Sequence, residues 1–253
     1  MREFYIKDDG IRLHAKLDMP PGIEEGSAKC PLVIVIHGLT GHMEEHHIVA
    51  VAQTFNEMGF AALRVEMYGH GGSDGRFEDH NLFKWLNNAM AVTDYTKSLD
   101  WVTDLYVCGH SQGGLTTVLL AGMKPQDFKA AFPLSPAVML PEGARTGHLI
   151  GRDFDPADIP DEFYVNESQK VNGNYLRAAQ LIDADGAISR YSGPVLIIHG
   201  DRDEAIPVEY AIAAANKYKN AELVIIPGDD HCYNYHLDQV LDALRNYLVK
   251  LGR

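Results

Sequence analysis

Several things are scarce in this chain of 253 residues. No apolar run is long enough to cross a bilayer: runs such as "LVIVI" at 32–36 fall far short of the ~20 residues that a spanning helix needs. Positive charge is in deficit, with 22 Lys and Arg against 35 Asp and Glu and a net charge of −13. Nucleic acid and anionic membrane would both be repelled, so neither is expected as a partner. Cysteine is rare and odd in number. Cys30, Cys108 and Cys232 are far apart and give neither a disulfide framework nor a zinc spacing. The first ten residues, "MREFYIKDDG", lack the apolar stretch of a secretory signal, and the closing "KLGR" carries no lipidation signal. These absences lead to the expectation of a reduced, cytoplasmic protein.

What is present is an ordinary globular composition, 46% hydrophobic and 23% charged, enough for one large domain with a buried core. Residues 3–7 and 11–17 read as two strands joined by the turn signal "DDG". "PLVIVIHG" (31–38) is a continuous apolar run, as in a strand buried on both faces. A helix is expected over 46–58, strands over 60–67, 105–109 and 128–136, and a helix face at Leu115, Val118, Leu119 and Gly122. Leu82, Trp85, Leu86, Ala89, Val92 and Leu99 recur at helical spacing. After an interruption the alternation resumes: strand 194–200, helix 207–217, strand 221–228 and helix 235–250. Alternating strands and helices predict an α/β fold, a mostly parallel central sheet covered on both faces. The interruption, about 137–192, is rich in Pro, Gly and acidic groups and is too long for a plain loop. It is read as a cap inserted into a single domain.

Sites on such sheets lie at the carboxyl ends of the strands. The residues that follow the predicted strands include "GHSQG" (109–113), "DRDEAIP" (201–207) and "DDHC" (229–232). They supply a hydroxyl, carboxylates and an imidazole, in that chain order. "GHSQG" fits the nucleophile elbow G-x-S-x-G, a sharp turn that exposes Ser111 at a helix N-terminus, where free N–H groups favour negative charge. A serine hydroxyl needs a base, and His231 is the candidate; an acid must orient that base, and Asp203 is the candidate. Asp201 is the rival acid, with a turn cap as its alternative role.

With these motifs in place the chain resembles the α/β-hydrolases, over nearly its whole length outside the cap. "HGLTG" (37–41) is similar to the oxyanion loop of that superfamily, "GHSQGG" to its elbow, "HGDRDEAIP" to its acid loop and "GDDHC" to its histidine loop. "YGHGGSDGRFED" (68–79), with the cap after "LSPA", makes it most similar to bacterial feruloyl (cinnamoyl) esterases. The resemblance implies a serine esterase that needs no cofactor or metal and acts on a small-molecule ester. It favours Asp203 as the acid, through Gly200, Asp203 and Pro207. It also implies an oxyanion hole made of the N–H groups of Leu39 and Gln112.

The aromatics Phe154, Phe163, Tyr164, Tyr175 and Tyr191 of the cap region form either its small core or a slot for a flat acyl group. His37, Tyr164, Tyr175, Glu142 and Gln169 are the candidates for substrate contact, with Asp153 a further polar partner. His37 and His199 close strands, a place where histidines more often bond loop backbone than react. His42, Glu44, Glu45, His46 and His47 give H-M-E-E-H rather than the zinc pattern H-E-x-x-H, so a solvated or substrate-facing helix start is expected and no metal. His70 reads as packed in a turn and Cys232 as a buried, inert thiol. The expected reaction is hydrolysis of hydroxycinnamate or similar small aryl or short-acyl esters. A general carboxylesterase or monoacylglycerol lipase is the alternative. A thioesterase or acyltransferase, or a non-catalytic binder on the same fold, stands behind it. A homodimer stays open.

Overall fold

A computed structural model describes residues 1–253. The chain opens on a hairpin, β1 (Arg2–Asp8) and β2 (Ile11–Asp18), closed by Asp9 and Gly10, both at positive φ as a two-residue turn of this hand requires. There follow β3 (Cys30–Ile36), α1 (His46–Glu57), β4 (Ala61–Val65), α2 (Leu82–Lys97), β5 (Val102–His110), α3 (Gln112–Met123) and β6 (Phe128–Leu134). Short elements occupy the next stretch: α4 (Leu140–Thr146), β7 (His148–Leu149), β8 (Arg152–Asp153), β9 (Glu162–Tyr164), β10 (Lys170–Asn172), α5 (Asn174–Gln180) and α6 (Ala184–Arg190). Then come β11 (Val195–Gly200), α7 (Val208–Lys217), β12 (Ala221–Ile226) and α8 (Leu237–Lys250). The main sheet has eight strands in the order β1-β2-β4-β3-β5-β6-β11-β12. From β4 to β12 all pairs are parallel, while β2 meets β4 antiparallel. No helix is long and apolar enough to cross a membrane.

Each face of the sheet carries its own core. Leu32, Ile34 and Ile36 of β3 point into the larger cluster with α2 and α3; Val33 and Val35 point into the other, with α1 and α8. That is why "LVIVI" shows no polar alternation: both faces of the strand are dry. The expected elements are present, with no end moved by more than three residues. The predicted single face of α3 is a correction. Residues 112–122 of that helix are all buried, because it lies against the sheet, α2 and α6 together. A helix enclosed on every side loses its amphipathic stripe. Leu99, in phase with the α2 pattern, falls beyond the end of α2.

Candidate active site

Ser111 stands between β5 and α3 at φ 57° and ψ −118°, a conformation that L residues rarely adopt. The neighbouring glycines make it attainable. A Cβ on Gly109 would strike the Gly113 carbonyl, and one on Gly113 would strike the carbonyls of Ile36 and His37. The strand can turn this sharply only where these backbones touch. The Ser111 N–H donates to Leu134 O at 2.9 Å, and its carbonyl accepts from Leu115 and Ala137 at 3.0 Å. The turn at Ser111 is therefore bolted to both β6 and α3. Gly38 of the "HGLTG" loop packs against Ser111, and the N–H groups of Leu39 and Gln112 donate to no acceptor within the protein. Two free donors near a buried hydroxyl suit a developing oxyanion.

Asp203 and His231 are joined. The His231 Nδ1–H donates to Asp203 Oδ2 at 2.6 Å, and the Asp203 side chain is wholly buried. Asp203 Oδ1 accepts from the N–H groups of Ala205 and Ile206 at 2.9 and 2.8 Å. Burial alone would raise this carboxyl. Hydrogen bonds from His199, His231 and Ile206 outweigh it and hold Asp203 well below the usual carboxylate range. Asp201 serves the backbone instead. Its Oδ1 accepts from Gly228 N at 2.6 Å and ties the end of β11 to the turn after β12. The Ser111 hydroxyl makes no hydrogen bond to His231 here. Contacts of this kind are often long without substrate and tighten when it binds.

The loop that carries His231 is organised from below. Buried Asp229 accepts from the N–H groups of Asp230, Tyr235 and His236, and Asp230 accepts from those of Cys232 and Asn234. Buried Tyr233 donates to Ile198 O at 3.0 Å and accepts from the Ser135 hydroxyl. "GDDHC" is thus two loop-forming aspartates followed by the imidazole. Cys232 is half-buried rather than buried, a correction, since its loop ends at the surface. Burial, with the charges of Glu45 and Asp230, pushes its thiol up to about 11, so it is not a thiolate near neutral pH.

The candidate substrate residues do not form one group. His37 is buried and donates Nδ1–H to Gly38 O while Nε2 accepts from Met67 N, so both nitrogens serve the backbone. Tyr175 is buried and donates to the Gln112 side chain at 2.6 Å, linking α5 to the elbow. Tyr164 is exposed and shares a cleft of about 300 Å³ with Phe77 and Gln169. Glu142 lies on the surface of α4, in a different cleft with Arg145 and Lys217. Phe163 and Tyr191 are core residues. His70 is buried in its turn, as expected, with Nδ1–H donating to Tyr68 O. A larger cleft of about 900 Å³ reaches His231, between Arg202, Asp230 and Tyr235. No group of three or more His, Cys, Asp or Glu side chains has the arrangement of a metal site.

Two residues at the site are not evident from the sequence pattern. His110, the first x of G-x-S-x-G, donates Nε2–H to the carbonyl oxygen of His231 at 2.7 Å. Its position in the motif is visible, but nothing in the pattern shows where its ring points. His199, expected to bond loop backbone, bonds Ile206 O and also lies 3.1 Å from Asp203 Oδ2. Its spacing of four from Asp203 is the available signal.

A family described as serine aminopeptidase, S33, matches residues 27–152, and one described as TAP-like protein matches 176–252. The structure of Est1E from Butyrivibrio proteoclasticus with ferulic acid bound superposes with a TM-score of 0.95 at 55% identity, covering 99% of this chain and 100% of that one. Alpha/beta hydrolase domain-containing protein 10 from mouse shares the fold alone, at 17% identity and a TM-score of 0.78 over 99% of this chain and 100% of that one. Human Protein ABHD12B is 26% identical over 87% of this chain, which spans 61% of the length of that relative. With an Est1E chain matched end to end at more than half identity, and an elbow, an imidazole and a carboxylate in their places on this sheet, the chain belongs to the α/β-hydrolase superfamily, as a serine hydrolase of the same family as Est1E.

Proposed function

We propose that the protein hydrolyses hydroxycinnamate or similar small aryl esters by a two-step serine mechanism. The observation that carries the substrate class is the Est1E structure with ferulic acid, 55% identical to this chain over its whole length. Ser111 attacks the ester carbonyl while His231 Nε2 takes its proton; Asp203 holds the opposite nitrogen and stabilises the cation formed. The oxyanion rests on the N–H groups of Leu39 and Gln112. Removing one such donor typically costs about 10²–10³ in turnover. His231 returns the proton to the leaving alcohol, then activates a water that releases the acid from Ser111.

Residues 137–192 act as a cap over the carboxyl ends of the strands. Tyr164 and Gln169 share one cleft and Glu142 lines another, and neither cleft is lined by Ser111 or His231. A cytoplasmic location is part of this reading, supported by three cysteines that form no disulfide. A homodimer is not required by it.

A serine-directed phosphonate should label Ser111 stoichiometrically. Methyl ferulate should turn over faster than short-chain nitrophenyl esters or monoglycerides. Labelling with no turnover of methyl ferulate, but rapid turnover of monoglycerides, would replace the cinnamoyl reading with a lipase one.

A further inference from the structure

The carboxylate that holds the base has a second histidine on it. His199, in β11, has a side chain with no solvent exposure. Its Nε2 lies 2.9 Å from the carbonyl oxygen of Ile206 and 3.1 Å from Asp203 Oδ2. A carbonyl only accepts, so Nε2 carries the proton and bonds Ile206 O, with Asp203 Oδ2 the second oxygen within reach. Nδ1 of the same ring is buried with no partner. Two imidazole nitrogens therefore approach one oxygen, His231 Nδ1 at 2.6 Å and His199 Nε2 at 3.1 Å, while Oδ1 is taken by the backbone of Ala205 and Ile206.

We propose that His199 is a positioning residue that tunes the base: by occupying part of Asp203 Oδ2, it limits how strongly Asp203 stabilises protonated His231. This rests on the triad reading above. The sign follows from the geometry. A donor on Oδ2 draws negative charge toward itself and leaves less for the His231 N–H. Without it, Asp203 turns its full acceptor strength on His231 and favours the imidazolium. The base works only when deprotonated, so the acid limb of the rate profile would move to higher pH.

The other groups facing this pair are Glu45 and His47 beside the start of α1, His110 of β5, Asp230 and Cys232 of the same loop, and Tyr233. None of them bonds the Asp203 carboxylate. His199 is the one side chain other than His231 that does.

The test is the pH dependence of kcat/KM for three variants. His199→Phe keeps a ring and loses the donor. His199→Asn is too short to reach Oδ2. His199→Gln places an amide N–H where Nε2 was. Phe and Asn should raise the apparent pKa of the acid limb by about 0.5–1 unit, with the plateau kcat and KM little changed. Gln should restore the wild-type limb. If Phe does not fold, Asn against Gln gives the same comparison. An acid limb unmoved in Phe or Asn, or moved equally in Asn and Gln, overturns the proposal. Asp203→Asn runs in parallel. If it keeps full turnover, the triad reading fails instead; if it is inactive while the His199 variants titrate like wild type, only the tuning role of His199 falls.

Discussion

His110 donates its Nε2 proton to the main-chain oxygen of His231, so the residue before Ser111 holds the backbone of the proposed base. The two rings lie 4.6 Å apart, and Gly38 of the loop with the free Leu39 N–H packs on the same imidazole. One buried side chain thus connects three segments distant in sequence.

Replacing it should separate alignment from binding. His110→Phe keeps the bulk and orphans the His231 carbonyl, which costs about 1–3 kcal/mol of stability. Turnover should fall 10- to 100-fold with KM nearly constant, since the loss is of geometry at the reacting atoms. Steady-state kinetics with a denaturant titration checks both. A rise in KM at constant kcat would place His110 in substrate binding instead.

The two aspartates of "DRDEAIP" should part company. Asp203→Asn should lower kcat by about 10⁴-fold, as expected when the acid that fixes the tautomer of the base is neutralised. Asp201→Asn should leave kcat within a few-fold and cost ~1 kcal/mol of stability, through the weakened bond to Gly228. The reverse ranking in a direct assay would move the acid to Asp201.

Stability should fall in mild acid. Burial, assisted by the charge of His46, lowers His47 to about 3; burial, assisted by His70, lowers His80 to about 3. An unfolded histidine titrates near pH ~6.5. The unfolded chain therefore binds protons that the native one refuses, so stability declines as pH drops through ~6.5 and levels off near 3. Each of these histidines contributes a slope of about 1.4 kcal/mol per pH unit in that window. Asp203, with its folded value depressed, adds a further loss only as pH falls below ~4. Urea midpoints at pH 7.5, 6.5 and 5.5 should decrease in order, and His47→Leu should flatten the trend. Midpoints independent of pH would contradict it.

Gly113→Ala should be far worse than an ordinary helix substitution. Its methyl group would press on the carbonyls of Ile36, the last residue of β3, and of His37 after it, backbone that cannot yield like a side chain. A loss of about 3 kcal/mol or more is expected, read as a lowered melting temperature or insoluble protein. A variant as stable as wild type would show that α3 can shift away from β3.

Much of this is legible in the sequence because it is local. An apolar run without alternation marks a strand dry on both sides, as β3 is. Glycines on either side of Ser111 mark a turn where backbones meet. Ser111, Asp203 and His231 each follow a strand, and strand ends on one edge of a parallel sheet converge. What stays hidden depends on direction in space. The roles of His110 and His199 follow from where a ring nitrogen points across loops far apart in the chain. The residues between β6 and β11 are the least readable. Strands of two or three residues leave too little periodicity to detect, and buried Tyr175 looks like exposed Tyr164 until packing is known.

The left-handed φ of Ser111 also limits what chemistry evolution could place there. Threonine carries the same hydroxyl, but its branched Cβ tolerates this backbone poorly. The elbow thus selects between two equivalent alcohols by shape before reactivity is considered. Glycine, which could do no chemistry, would relax the turn. At this one position the most comfortable chain is an inert one, and the working enzyme keeps a residue that its own fold resists.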